Sequence, residues 1–421
     1  MPSLARLTDD HARGPVPQGE GVSGWRVAMV IVGFAITLPL MLTGSRMGLA
    51  LGVGNALQAF VAGGLILMVA GSLTAMVAAD ARLSTYKILE FSFGRSGAKL
   101  VSALLALTLF GWYGVTAALF GDALRAAAMD IHDVHLNTVT GIVVGSSLMI
   151  AVTVFGFRAL DLLSVIAVPL LVTFLLVLVA RTVEDVNGQS GQNPGDIDLG
   201  VAVSMVVGTY IVGVVLVPDL CRYARSVRQG VLAIVAALGV GLPFVLAASA
   251  VPSVAANDDD LVAIMVKLGL GAPALFVIVF ATWTSNANNL YSTSLGLAAV
   301  VERVAKWKIT VAAGIVGTLV AIGGITDYFM PFLLALGIAI PPVAGIYLVD
   351  YFVVRGRGFF AERRAVDVAP FNPAAFAAWL LATATGAVTV GDWFALTRIP
   401  ACDSLLVAGL LYFSFQRLSK R

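Results

Sequence analysis

Apolar runs separated by short polar breaks follow one another along almost the whole chain. A helix needs about 17 to 25 predominantly apolar residues to cross the hydrocarbon of a bilayer. Twelve runs of roughly that length fall near residues 27–52, 56–79, 98–124, 137–157, 160–181, 200–220, 229–254, 271–300, 309–325, 330–353, 371–390 and 401–416. They predict an all-α polytopic membrane protein, with a polar tail at 1–26 and a short terminus at 417–421.

Most of these runs read as continuous Leu/Val/Ala helices, but two are interrupted. The first contains "VGFAITLPLMLTGSRMG" (32–48), and the sixth "MVVGTYIVGVVLVPDLCRY" (205–223). Proline removes a backbone donor, and glycine tolerates unusual dihedrals. Such residues also kink or closely pack ordinary membrane helices, so either run alone bears both readings. Their spacing says more. Interruptions five spans apart are expected if 27–181 and 200–353 are two repeats of opposite topology, with 371–416 adding two helices. No internal sequence identity marks the repeat; it rests on position.

The eighth run breaks the pattern in another way. "ATWTSNANNLYSTS" (281–294) holds nine Ser, Thr or Asn residues in fourteen positions and no charge. On a helix, Thr284, Asn288 and Tyr291 share one face, and Ser285, Asn289 and Ser292 an adjoining one. Amides unpaired in lipid would cost several kcal/mol, so this face must look into protein or water. One or two such residues would serve as interhelical hydrogen-bond glue; nine favour a binding surface. The third run carries "LTLFGWYGVTAALF" (107–120), with Trp112 at mid-span and away from the interfacial belts. An indole flanked by Gly111 and Gly114 suits stacking on a planar solute, or plain core packing.

Composition sharpens this. Hydrophobic residues make up 59% of the chain and charged residues 12%, and mean hydropathy is +0.96. The net charge of +2 offers no field for nucleic acid. Placing the tail in the cytoplasm puts all but five of the 26 basic residues (Arg46, Arg125, Arg181, Lys267 and Arg398) in inner segments. The outer loops are acidic, as in "EDVNGQSGQNPGDID" (184–198) and "NDDD" (257–260). That asymmetry is the positive-inside pattern, and it predicts a cell-membrane protein with both termini in the cytoplasm. The tail, with Pro15 and Pro17, does not read as a signal peptide. Cys221 and Cys402 suggest neither a disulfide framework nor a metal site. His132 and His135 with Asp130 and Asp133 are better read as a solvated loop than as a metal cluster. The longest interior loop, about 354–370, is too short to fold alone, and no histidine or carboxylate falls at mid-membrane. A membrane-embedded enzyme therefore lacks its chemistry, and a receptor or scaffold lacks a signalling domain.

Eight pieces in order then carry a resemblance: "GPVPQG" (14–19), "FSFG" (91–94), "GWYGV" (111–115), "DLLSVIAVP" (161–169), "VVGTY" (206–210), "WTSNANNLY" (283–291), "IPPVAG" (340–345) and "VDYF" (349–352). Together they resemble the nucleobase–cation symporter family, of the bacterial cytosine permease type. The resemblance implies a LeuT-like five-plus-five inverted repeat with helices 1 and 6 broken, two extra C-terminal helices and alternating access. It implies stacking of a nucleobase between Trp112 and Tyr210, with Thr209 beside the latter and Asn286, Asn288 and Asn289 at the ring edge. It also implies a Na⁺ site from the hydroxyls of Thr284 and Ser285 and the carbonyls of Gly33, Thr37 and Ala281. Neutral oxygens suit a hard monovalent cation, and the lack of a mid-membrane carboxylate favours Na⁺ over H⁺.

Two positions depart from the cytosine permease pattern: Leu109 stands where glutamine is expected, and Val212 where serine is. Both remove hydrogen-bonding groups from the expected pocket and change which ring substituents it discriminates. The expectation is an importer of a flat nucleobase-like heterocycle, with no cofactor beyond the coupling ion, acting as a monomer. A purine, another pyrimidine, a vitamin-precursor pyrimidine, an amino acid on the same fold and H⁺ coupling stay open as alternatives.

Overall fold

The computed structural model describes residues 11, 14–132, 134–186, 199–301, 303–328, 335–336, 338–357, 368–390 and 395–418. Its regular structure is helical, apart from one isolated parallel bridge between Val22 and Ala224.

Helix α1 (Gly24–Ala35) and helix α2 (Leu38–Ala81) are separated by Ile36 and Thr37, whose backbones leave the helical region. Thr37 caps the second helix, its Oγ1 accepting from Leu40 N at 3.1 Å. Pro39 falls in the first turn of α2, where its missing N–H costs no bond. The first and second apolar runs are joined in α2. It continues to Ala81 and turns only at Gly52, whose φ of 72° a side chain would resist.

Helices α3 (Thr85–Phe93), α4 (Arg95–His132), α5 (Thr138–Val154) and α6 (Phe157–Thr182) follow. Helix α7 (Leu199–Val215) is set off from the short α8 (Val217–Cys221) by Leu216, at φ −93° and ψ 2°, with Pro218 in the first turn of α8. Gly208 and Gly213 thus lie inside a regular helix and not at its interruption. Helix α9 (Val227–Ala256) widens to a π turn over Val235–Gly241. The chain continues with α10 (Leu261–Lys267), α11 (Gly271–Val300), α12 (Lys306–Ile322), α13 (Pro341–Val354), α14 (Pro373–Val390) and α15 (Pro400–Leu418).

Among the described residues, five helical stretches are long and apolar enough to cross a membrane: Leu38–Ala81, Arg95–Arg125, Phe157–Val186, Val227–Ala256 and Pro373–Val390. The outer surface fits that setting. Leu57, Val61, Leu65, Val69 and Leu73 recur every fourth residue on one exposed face of α2, an apolar stripe that water would not favour and lipid would. Inside, α9 lies along α2 and α11 along α4. The α2–α9 contact is set by glycine: a Cβ on Gly44 would sit 2.5 Å from Leu246 O, and one on Gly48 2.7 Å from Ala250 Cβ. Small residues of this kind let membrane helices approach closely.

Candidate functional site

The polar stretch of α11 faces protein. Thr282, Thr284, Ser285, Asn286, Asn288, Asn289, Thr293 and Ser294 are each no more than 4% exposed. Two groups of contacts organise it.

The first joins α11 to the end of α1. Thr284 Oγ1 lies 3.0 Å from Gly33 O, 3.1 Å from Ala281 O and 2.9 Å from Phe280 O. A single proton cannot serve three acceptors, so the cluster is oxygen-rich and short of donors. Gly33, Ala281 and Thr284 are therefore brought together. Ser285 instead donates to Thr282 O at 3.1 Å, and the Thr37 carbonyl accepts from Met41 N at 2.9 Å. Gly33 is hemmed in: a Cβ there would meet Ser164 Oγ and Val168 Cγ2 at 3.2 Å each.

The second joins α11 to α4. Asn286 Nδ2 donates to Tyr113 O at 3.0 Å, and Asn289 Nδ2 donates to Asn286 Oδ1 at 3.1 Å. Asn288 Nδ2 turns back to Thr284 O at 2.9 Å. Asn286 is thus a brace that orients Asn289.

Between these contacts lies a cavity of about 50 Å³. Leu109, Trp112 and Thr116 line it from α4, and Thr209, Tyr210, Val212 and Gly213 from α7. Phe34, Ala35, Thr37, Pro39, Leu40 and Thr43 line it from the α1–α2 junction, and Asn289 from α11. Of the expected ring-binding residues, Trp112, Tyr210, Thr209, Leu109, Val212 and Asn289 share this space; Asn286 and Asn288 fall outside its lining. Phe34, Thr43 and Thr116 were not singled out as ligand contacts. Thr116 had a readable signal, one helical turn beyond Trp112, and Thr43 belongs to a polar cluster of the first run.

Tyr210 is fixed from α1. Its hydroxyl donates to Ile31 O at 3.3 Å, and its ring meets Phe34 edge-on with centroids 5.4 Å apart. Gly213 makes room for that ring, since a Cβ there would come within 2.7 Å of it. No lining residue carries a charge, so the cavity suits a neutral solute. Its size is far below the roughly 300 Å³ or more of a typical ligand pocket, so side chains must part to admit a ring.

A larger cavity of about 380 Å³ lies beside the first turns of α2, flanked by Leu38, Met41, Arg46, Asp122, Arg125, Asp259 and Asp260. Arg46 pairs with Asp259 at 2.9 Å across it. Nearby, a hydrogen bond from Lys267 at 2.9 Å, helped by the backbone N–H of Asp260, holds the Asp258 carboxyl below the usual carboxylate range.

The opposite side is closed. Arg222, fully buried, reaches Tyr291 Oη at 2.9 Å and Tyr223 Oη at 3.2 Å, while Asp219 accepts from Thr85 N at 2.9 Å. The segment before α1 crosses this face. Arg82 donates to Val16 O at 2.7 Å, Pro17 O at 2.9 Å and Ala224 O at 3.2 Å. Val22 N adds a bond to Tyr223 O at 2.8 Å. Cys221 lies fully buried in α8 on this side. Among the described residues no group of three His, Cys, Asp or Glu could hold a metal; Asp133 and the side chains of Asp130 and His132 lie outside them.

An uncharged cavity at the α1–α2 junction, inside a helical bundle with an apolar outer surface, is compatible with a multi-pass membrane transporter, and the family to which the chain belongs establishes that it is one. The chain belongs to the family described as permeases for cytosine/purines, uracil, thiamine and allantoin, whose model matches residues 15–405. It is 31% identical over 419 residues to the cytosine permease of Escherichia coli (strain K12), covering 98% of this chain and 96% of that one. It is 25% identical over 391 residues to the hydantoin permease of Microbacterium maritypicum, covering 84% and 78%. The fold matches Mhp1, a nucleobase-cation-symport-1 family transporter in a closed conformation with bromovinylhydantoin bound. That match has a TM-score of 0.81 at 22% identity, covering 96% of this chain and 94% of the other. It also matches a Na⁺-coupled sialic acid symporter, with a TM-score of 0.74 at 14% identity over 99% and 95% of the two chains.

Proposed function

We propose that the protein is a secondary symporter that imports a neutral, flat, nucleobase-like heterocycle together with Na⁺. The observation that carries this reading is one uncharged cavity. It gathers Trp112, Tyr210 and Asn289 beside the interruption between α1 and α2, with the Gly33–Ala281–Thr284 oxygens alongside. The ring would stack between Trp112 and Tyr210, and Asn289 would bond its edge. Na⁺, carried as a co-substrate, would sit among the Gly33, Thr37 and Ala281 carbonyls and the Thr284 and Ser285 hydroxyls. Its binding would order the α1–α2 junction that forms one wall of the cavity.

The scaffold we infer is twelve spans in two inverted five-helix repeats plus two, with helices 1 and 6 broken. The paired packing of α9 on α2 and α11 on α4 supports it. Basic Arg82, Arg222 and Arg225 on the closed face support reading that face as the cytoplasmic one. The likeness to cytosine and hydantoin permeases supports the substrate class. Leu109 and Val212, apolar in the lining, set this pocket's choice among such rings. Proton coupling is the alternative; the lining holds no carboxylate to serve it.

Uptake of a labelled heterocycle panel in permease-deficient cells, with Na⁺ replaced by choline, tests the reading. One nucleobase-like compound is expected to accumulate in Na⁺ and not in choline. Equal accumulation in both media removes the Na⁺ assignment, and no accumulation of any heterocycle removes the substrate class.

A further inference from the structure

Ser164 lies two turns into α6 and is only 1% exposed, yet its hydroxyl has no hydrogen-bond partner. That is unusual for this helix. Thr173 and Thr182 each donate to the carbonyl one turn back, Pro169 O at 2.8 Å and Leu178 O at 2.9 Å. A buried hydroxyl left unpaired costs free energy, so it calls for an explanation, of which a water or an ion is one.

The surroundings indicate what that is. Ser164 Oγ is 3.2 Å from the point where a Cβ on Gly33 would stand, and Thr284 Cβ is 3.5 Å from the same point. The serine of α6 and the threonine of α11 therefore converge on one residue of α1, whose carbonyl faces Thr284 Oγ1 at 3.0 Å. A second orphan flanks the cluster: Asn288 Oδ1 is buried without a partner, while its amide holds Thr284 O at 2.9 Å. These groups are uncharged oxygens, and the nearest carboxylate on α6, Asp161, is engaged by Arg26 at 2.9 Å. Oxygens without a counter-charge suit a monovalent cation better than a divalent one, which draws on carboxylates.

We propose that Ser164 is a further side-chain ligand of the cation site, reaching it from α6. The inference rests on the Na⁺ reading above. Its consequence is that the ion bridges three helices, α1, α6 and α11, so that its binding draws α6 onto the α1–α2 junction.

The test is the melting temperature of the purified full-length protein, titrated with NaCl against choline chloride at constant ionic strength. The variants are Ser164→Ala, Thr284→Ala and Ser253→Ala, the last removing a buried unpartnered hydroxyl elsewhere, in α9. Ser164→Ala is expected to melt no lower than wild type in choline, because it loses no bond. Its half-saturating Na⁺ is expected to rise by roughly tenfold, the low end of what a group supporting a metal site contributes. Ser253→Ala should titrate like wild type. If Ser164→Ala does not fold, Ser164→Cys keeps the volume but exchanges hard oxygen for sulfur, and the same shift is expected. A Na⁺-stabilised wild type with an unshifted Ser164 variant overturns this inference alone. A wild type whose melting ignores Na⁺ overturns the coupling-ion reading, and this inference with it.

Discussion

Trp112 brings the widest aromatic ring to a cavity that carries no charge, so binding of a planar solute there would draw mainly on stacking and the exclusion of water. Stacking of a base on an aromatic side chain is worth about 1–3 kcal/mol. Trp112→Ala should therefore weaken equilibrium binding of the transported ring by roughly 5- to 150-fold, measured by titration calorimetry on the purified protein. Unchanged affinity would take the indole out of the site. The asparagines act differently. Asn286 is spent on Tyr113 O and Asn289, which leaves Asn289 as the one amide of the stretch that reaches the cavity. Their residue type pointed to hydrogen bonding with a ring edge. Their direction depended on which helix each one faces, and residue type carries no information about that.

At the scale of elements, the α2–α9 contact is where packing is least forgiving. The atoms that a Cβ on Gly48 would strike belong to Ala250, including its Cα at 2.9 Å, and backbone of that kind cannot swing aside. Overpacking such a contact typically costs about 1–3 kcal/mol. Gly48→Val should lower the melting temperature in detergent, whereas Gly54→Ala, with nothing within 4 Å of the added carbon, should leave it nearly unchanged. Equal effects would show that the two helices do not rely on this approach. Proline and glycine pointed to the stretches where the backbone leaves helical dihedrals at Ile36, Thr37 and Leu216, but only roughly. Gly208 and Gly213 read as break signals and lie in regular helix. Gly213 is there for the Tyr210 ring, a requirement of packing and not of backbone dihedral.

Across the whole molecule, one face is shut by the segment before α1 and by the buried Arg222, while the other holds the larger cavity. Arg82 is the fastening, since its guanidinium donates to carbonyls of Val16, Pro17 and Ala224 at once. Hydrogen bonds from a charged group contribute about 1.5–3 kcal/mol each. Release of the strap should expose what lies beneath it, and Cys221, fully buried there, is a natural reporter. In a Cys402→Ser background, Arg82→Ala is expected to raise the rate of maleimide labelling at Cys221 by roughly tenfold or more. An unchanged rate would mean that the strap does not hold this face closed.

The amino-acid order alone determined that the chain lives in a bilayer and that 281–294 avoids lipid. These follow from local composition, because apolar length and unpaired amides carry their energetic consequences wherever the chain goes. Tertiary structure alone decided which groups meet. Thr284 and the carbonyl it faces on Gly33 are 251 residues apart, and the serine that completes their surroundings comes from a third helix. Hydrogen bonds and contacts act over a few ångströms, so a site built from distant segments exists only once packing has set the helices against one another.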